Sequence, residues 1–534
     1  MSGGGGVRRR DLLAAGTAAA AALPRVSIAQ PAGARVLRFV PQTDLGGLDP
    51  VAIFSNVVRN HGYMVWDTLY GTAEDFSVHP QMAEGAAFED EDRVCTVTLR
   101  EGLRFHDGEP VRAADCVASL HRWMRRSPFG QVLAARMHEL VAVDDRRLRF
   151  RMKQRFPLLL AAIGAPSNPA PFIMPERLAR TDPFQPVREA VGSGPFRFVP
   201  GEFRQGNRVV WERHAGYSPT PAGGSGLTAG PKVAHFDRVE WHIIPDAATA
   251  AAALINGEVD WFEQMGPEVQ QLLGRQRGLV VEPIDPLPLP GQFRFNHRQP
   301  PFDRAEVRRA LLPAISQEDF MTAIVGPDPR KYETGVGFFT PGSPMASDAG
   351  LAPLKGPRSV ERVKAMLKEA GYEGQPVRLI GTTDIVSTTA QAQVAADLLR
   401  RLGLNLDVAL ADWGTIAQRR MNRGPLEQGG WSIGCFASSG MDFVNPVTHT
   451  QLRSDGADAA PGWPDIPRVE RLRAAWLEAP DLDAQRRIAR EIQLAAMEGL
   501  PYIPTGAYYS MTAFRRNLVD RVKGFAIFWG IRRA

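Results

Sequence analysis

The sequence predicts an α/β protein, its sheets covered by helices. Two stretches carry that expectation. Val94 to Trp123 reads as strand, turn and amphipathic helix in succession, and Arg358 to Ala409 reads as two helices followed by a strand. A chain of 534 residues exceeds one ordinary core and implies two or three domains. Hydrophobic residues at 44% place it among folded globular proteins rather than disordered ones.

The N-terminus reads as an export signal. Arg8, Arg9 and Arg10 precede Asp11-Leu12-Leu13, and Ala, Gly and Leu continue to Leu23. Arg9-Arg10-Asp11-Leu12-Leu13 resembles a twin-arginine signal. Ser27-Ile28-Ala29 fits a small-x-small cut, with a mature start near Gln30. The run is short for a bilayer span, and no cysteine near the cut supports a lipid anchor. A free periplasmic protein is expected.

Val36 to Val40 is an apolar strand, and Pro41 to Pro50 a loop ending Leu48-Asp49-Pro50. Tyr63 to Tyr70 reads as a helix. In Val94 to Leu99, Cys95, Val97 and Leu99 alternate with Thr96 and Thr98, the period of a half-buried strand. Asp107-Gly108 supplies turn chemistry, and Val117, Leu120 and Met124 recur at helical spacing. His106 is read as packing or hydrogen-bonding within that turn.

The arginine-rich runs at 122–126 and 146–155 read as solvated faces; the latter sets Arg147, Arg149 and Arg151 against Leu148, Phe150 and Met152. The net charge of +5 is scattered, without a basic block interleaved with aromatics, so no nucleic-acid partner is expected. Three cysteines make no disulfide framework and match no zinc spacing. Cys95 and Cys116 read as buried small hydrophobes, and sequence does not fix whether they pair.

Prolines are dense from Phe156 to Pro186 and disfavour long elements. Gly192-Ser193-Gly194 precedes Pro195 and an alternating strand, so it is not a nucleotide loop. Pro219 to Gly230 reads as an exposed loop. Asp246 caps a helix Ala247 to Asn256 that Gly257 ends. Pro283 to Pro290 has four prolines in eight residues and reads as a stiff, extended crossover, the first hinge strand. A helix from Arg304 to Ile315 is interrupted by Pro313. Arg358 to Ala370 and Gln391 to Leu402 are amphipathic helices closed by Gly371 and Gly403. Asn405 to Ala409 is a strand, and Trp413 starts a helix. Late helices fall at Arg468 to Glu478 and Asp483 to Glu498. Leu500 to Thr505 and Val522 to Phe528 read as strands.

The order T-L-R-x-G-x-x-F-H-D-G-x-P-x-x-A-x-D, Thr98 to Asp115, resembles the extracytoplasmic solute-binding proteins of family 5, the oligopeptide, dipeptide and nickel receptors of ABC importers. Met82-Ala83-Glu84, Gly192 to Phe196, Gly257-Glu258-Val259-Asp260 and Asn296 to Asp303 extend it over nearly the whole mature chain. The resemblance implies a two-lobed periplasmic-binding-protein fold (class II, cluster C type) with an extra subdomain inserted in the first lobe. It implies lobe I from residues 30–62, 190–286 and 507–534, the subdomain from 63–189 and the other large lobe, lobe III, from 287–506. The resemblance, not periodicity, makes the strands at Leu500 to Thr505 and Val522 to Phe528 returns to lobe I. It also implies a monomer that delivers a small solute to inner-membrane ABC permease subunits. No cofactor is expected.

Gly440-Met441-Asp442-Phe443-Val444-Asn445-Pro446 matches a loop in which peptide-binding relatives offer an aspartate to the ligand's α-ammonium. Asp442 stands at that position; capping the following turn is the alternative reading. Phe436 and Ser439 stand where peptide receptors carry an arginine and a tryptophan. Trp413 and Arg420 match the family's helix ahead of the loop, and Asn296 lies after the hinge. The expected ligand-binding set is therefore Asp442, Met441, Gly440, Ser439, Trp413, Arg420, Asn296 and Phe436. No G-x-S-x-G, H-E-x-x-H or P-loop pattern occurs, so no catalytic residue is expected. The alternatives are a nickel or haem receptor of the same family, with His449 or His297 as ligands, and a secreted hydrolase on this fold.

Overall fold

A computed structural model describes residues 35–534 except Asn168, Ala222 and Ser225; the export signal and its cut at Ala29 lie outside the described residues. The chain opens with β1 (Val36–Val40), continues through the helix Asn56–Val65, and forms a small ribbon of β2 (Tyr70–Thr72) and β3 (Val78–Pro80). A four-stranded sheet follows: β4 (Ala83–Glu89), β5 (Val94–Leu99), β6 (Met137–Ala142) and β7 (Arg147–Met152), in the order β4-β5-β7-β6. Then come β8 (Phe196–Phe198), β9 (Arg208–Arg213), β10 (Arg238–His242), β11 (Trp261–Phe262) and β12 (Leu279–Pro283). The second lobe holds β13 (Leu289–Phe295), β14 (Tyr332–Glu333), β15 (Pro376–Thr382), β16 (Asn405–Ala411), β17 (Ile433–Ala437) and β18 (Tyr502–Tyr508). The chain closes with β19 (Met511–Arg515), β20 (Leu518–Val519) and β21 (Arg532–Arg533).

Two larger sheets define two lobes. The first has the order β12-β19-β11-β1-β10-β9-β8, the second β14-β18-β13-β17-β15-β16. The chain crosses between them at residues 284–288 and 509–510, and the crossings are tied by the Ile284 amide donating to Ser510 O at 2.9 Å. The proline-rich stretch thus runs from the end of β12 into β13. Proline restricts φ and donates no amide hydrogen, so this segment stays extended between sheets.

Alternation settled the early elements. In β5, Cys95, Val97 and Leu99 are buried and their neighbours half-buried, while β7 buries Leu148, Phe150 and Met152. Cys116, Leu120, Trp123 and Met124 of the helix Ala113–Met124 are buried in the same core. All three cysteines are free and buried. The His106 ring bridges to another loop: Nε2 donates to Gly194 O at 3.1 Å and Nδ1 accepts from the Gly192 amide. A Cβ on Gly192 would lie 2.1 Å from Val65 O, so glycine there serves close backbone packing. Asp246 caps the helix Ala247–Asn256 by accepting from the Thr249 amide, and Gly257 ends it at φ 80°. The helix Ala305–Ala310 stops before Pro313, as expected.

Several expectations change. The helix expected at Tyr63–Tyr70 instead spans Asn56–Val65. Asp67 beyond it is bound by Lys232 Nζ at 2.6 Å and Tyr217 Oη at 2.8 Å, which holds that segment extended. Arg122 is buried, not solvated: its guanidinium grips Asp49 through Nη1 at 3.1 Å and Nη2 at 2.7 Å. Asp49 is therefore an internal tie. The Pro219–Gly230 segment is irregular, but Thr220, Leu227, Thr228 and Ala229 are buried, because Thr228 pairs with Thr72. The helix Val386–Arg401 starts five residues before Gln391. Ala507 and Tyr508 remain in β18 of the second sheet, so the return to the first lobe falls after 508 rather than after 506, and Leu500–Thr505 does not make it. Residues 522–528 form no strand; Phe525 to Phe528 are all buried in the first lobe's core, and a short apolar run does not reveal its conformation.

Candidate functional site

The parallel strands of both sheets point their carboxyl ends at one cleft. In the first lobe β1 runs parallel to β10 and β11, and their ends deliver Gln42, Glu263 and Gln264. In the second, β15 runs parallel to β16 and β17, and their ends deliver Asp384, Trp413 and Ser439. Ligands of open α/β sheets collect at such carboxyl ends. A cavity of about 650 Å³ lies there, walled by Gln42, Asn56 and Met265 on one side, Asp384, Val386 and Trp413 on the other, and floored by the second crossing.

A recess of about 60 Å³ adjoins it, lined by Arg59, Glu263, Asp285, Ser439 and Phe525, and shares Gln42, Asn56, Gln264 and Ser510 with the larger cavity. Arg59 projects from the helix Asn56–Val65, its guanidinium 4.0 Å from the Phe525 ring centre. Its charge is faced by Asp442, Asp285 and Glu263, while burial pulls its pKa down. Glu263 accepts from the Gln42 amide at 2.7 Å and from Asn60 Nδ2 at 3.1 Å, yet burial still raises it to about 7. Asp285 accepts from the Leu287 amide at 2.9 Å, and burial raises it to about 6.

The second-lobe wall is aromatic and cationic. Asp412 caps the helix Trp413–Arg419, and the Trp413 amide donates to the Asp384 carboxylate. The Arg420 guanidinium lies 5.0 Å from the Trp413 ring and 5.9 Å from Phe436, an arrangement in which each ring face attracts the cation. Burial lowers the Arg420 pKa.

The expected residues therefore separate. Trp413 lines the cavity and Ser439 the recess; Asp442 sits half-buried in the turn Gly440–Phe443, its charge facing Arg59. Arg420 and Phe436 stand behind Trp413. Gly440 packs against the first crossing, where a Cβ would lie 2.5 Å from Pro288 O, and Met441 joins the hydrophobic core with Ile284 and Leu287. Asn296 is fully buried away from the cleft, donating to Trp431 O and accepting from the Arg298 amide. His449 is also fully buried, stacked on Phe443 at 3.6 Å with Nε2 2.9 Å from Tyr502 Oη. Among the described residues no group of three or more His, Cys, Asp or Glu is placed to hold a metal.

Sequence reasoning missed Arg59, Glu263 and Asp285. Asp285 had a signal, as the one charged residue in Pro-Ile-Asp-Pro-Leu-Pro-Leu-Pro. Glu263 directly follows β11, where a carboxyl-end residue reaches the cleft. Arg59 had none, since a helix facing a cleft shows the same spacing as one facing solvent.

The sequence matches the bacterial extracellular solute-binding proteins, family 5 Middle, over residues 77–453. The chain belongs to that family. This family-5 protein is 32% identical to the "probable peptide ABC transporter periplasmic-binding protein" of Sinorhizobium fredii, over 92% of each chain. It is 25% identical to the glutathione-binding protein of Salmonella typhi, over 88% of each. Its fold matches a dipeptide-binding protein from Pseudoalteromonas in complex with Met-Leu, with a TM-score of 0.74 at 20% identity over 94% of this chain and 100% of that one. It also matches the Brucella suis protein NikA in complex with Fe(III)-EDTA, with a TM-score of 0.75 at 20% identity over 93% and 100%. The two-lobed α/β fold is thus that of periplasmic binding proteins.

Proposed function

We propose that this family-5 solute-binding protein captures a peptide or peptide-like, amine-bearing solute between its lobes and delivers it to an inner-membrane ABC permease. The observation that carries this is the cavity of about 650 Å³ with walls from both sheets. Its size suits a small solute. A ligand touching both walls binds the closed form better than the open one, so occupancy shifts the lobes towards closure. The named relatives supply the solute class. Ser439 and Trp413, with Asp442 beside them and Arg420 and Phe436 behind Trp413, form the second-lobe half of the site. The protein acts as an exported monomer, cut near Ala29, and catalyses no covalent step.

Native mass spectrometry of protein exported by its own host, followed by organic extraction, tests the reading. A co-purified peptide or amine is the expected result. Chemical turnover of that compound on incubation with the protein would favour the hydrolase alternative.

A further inference from the structure

Two neighbouring arginines behind Trp413 have no acid to pair with. Arg294 lies in β13 and is 3% exposed, and Arg420 follows the helix Trp413–Arg419. Burial first, and then the Arg420 charge, brings the Arg294 pKa down to about 9. The Nε atoms of both are buried without a partner. The Arg294 Nη atoms donate to neutral oxygens, Gln451 Oε1 and Pro461 O. Among the described residues nothing accepts from the Arg420 guanidinium, which rests on the Trp413 and Phe436 rings.

The carboxylates of the flanking segments are engaged elsewhere. Asp384 accepts from the Trp413 amide, Asp412 from Thr415, Asp407 from Arg378, Asp455 from Arg453 and Glu470 from Arg473. Arg423 adds charge of the same sign, lying 5.2 Å from the Trp463 ring and donating to Ala457 O. Tying β13 to Gln451 and Pro461 needs one donor side chain, and does not account for a second guanidinium beside it. Buried charges without a counter-ion are costly, because desolvation is then uncompensated. A carboxylate between the two would relieve that cost, and the planar guanidinium fork matches its geometry. Trp413 also walls the main cavity, so the pair adjoins the solute across a single ring.

We infer that Arg294 and Arg420 form a carboxylate seat behind Trp413, filled by an acidic group of the solute or by a free small carboxylate. The first source gives the solute a charge class and rests on the receptor reading; the second does not. The seat uses no residue of the turn Gly440–Phe443, nor the position of the peptide receptors' arginine, where this chain has Phe436.

The test has two arms, each run on mature wild-type, Arg294→Met and Arg420→Met protein. In the first, an equimolar mixture of glutamate-containing dipeptides and their glutamine counterparts is offered. Retained peptides are identified by mass spectrometry after ultrafiltration and titrated calorimetrically. In the second, thermal unfolding is followed with glutarate and with neutral glutaramide at fixed ionic strength. Arg420 donates to no described protein group, so its replacement breaks no hydrogen bond of the fold, and circular dichroism checks both variants. A solute carboxylate is shown by a preference for glutamate peptides of about ten-fold or more that falls towards parity in both variants. A free carboxylate is shown by glutarate, and not glutaramide, raising the melting temperature of wild type but of neither variant. Equal retention of glutamate and glutamine peptides with no effect of glutarate overturns the seat and leaves the peptide reading standing. A glutamate preference or glutarate effect that survives in both folded variants puts the carboxylate elsewhere and overturns the seat as well. Retention of no peptide overturns the peptide reading, and the glutarate arm then decides the seat by itself.

Discussion

Replacing Asp49 by alanine should unfold the first lobe's junction with the inserted sheet more readily than any surface change. The Asp49 carboxylate accepts from both Arg122 Nη atoms and from the amides of Val51, Ala52 and Val187. Both side chains are essentially inaccessible, at 1% for Arg122 and 0% for Asp49. Alanine leaves the guanidinium buried with only Thr181 O and Gln185 O to accept from it. Breaking a buried pair from one side costs about 3–5 kcal/mol, because the remaining charge is desolvated and uncompensated. Removing both partners, as in Asp49→Ala with Arg122→Met, should recover a good part of that loss. Urea denaturation followed by the fluorescence of tryptophans such as Trp66 and Trp211 in the first-lobe core reads the effect. A single variant within about 1 kcal/mol of wild type would refute the reasoning, as would a double variant no better than the single one.

Four further outcomes are expected. Glu263 has a folded pKa of about 7 against an ordinary value of 4.5, so it favours folding below about pH 4.5 and loses that contribution as pH rises to about 7. The pH 5 to 7.5 stability difference of ligand-free protein should therefore shift in Glu263→Gln, by about 3 kcal/mol at most, and a variant with the wild-type slope would contradict it. Gly440→Ala puts a Cβ 2.5 Å from Pro288 O, so small-angle scattering should detect an altered lobe arrangement and ligand affinity should fall. Trp413→Ala should weaken binding of any retained peptide by about 2 kcal/mol in calorimetry, the scale of a buried aromatic anchor. Cys95, Cys116 and Cys435 should resist Ellman's reagent until denaturant is added, because all are buried and burial raises each thiol, Cys95 to about 12.

Much of the fold could be read from local pattern. The alternation in β5 and β7, the Asp246 cap and Gly257 stop, and the prolines of the first crossing each state their own conformation without reference to distant residues. What escaped depended on partners far along the chain. Arg122 looks like a solvated helix arginine until Asp49 is placed beside it, 73 residues away. Phe525 to Phe528 read as a strand because burial on all sides gives the same apolar run in any conformation. In the site, the second-lobe loop was visible through its resemblance, but Asn296 and Met441 were credited with reach that the packing denies them. Glu263 and Arg59 stayed hidden because the recess they line arises only where segments of both lobes face each other.

The strand order has a consequence for how the chain acquires its shape. β1 pairs with residues 238–241 and 261–262, and β19, which separates β11 from β12, begins only at residue 511. The first lobe's sheet therefore waits for nearly the last segment to be synthesised. The four-stranded sheet, complete by residue 152, has no such delay, and the second sheet needs only residues 289–508. Such distant pairings close slowly, since chain entropy is lost before contacts form. β11 and β12 are thus the strands that wait longest for the neighbour between them. Leu37 and Phe39 of β1, paired by residue 262, gain the last part of their core, Phe525, Phe528 and Ile531, only when the chain is nearly complete.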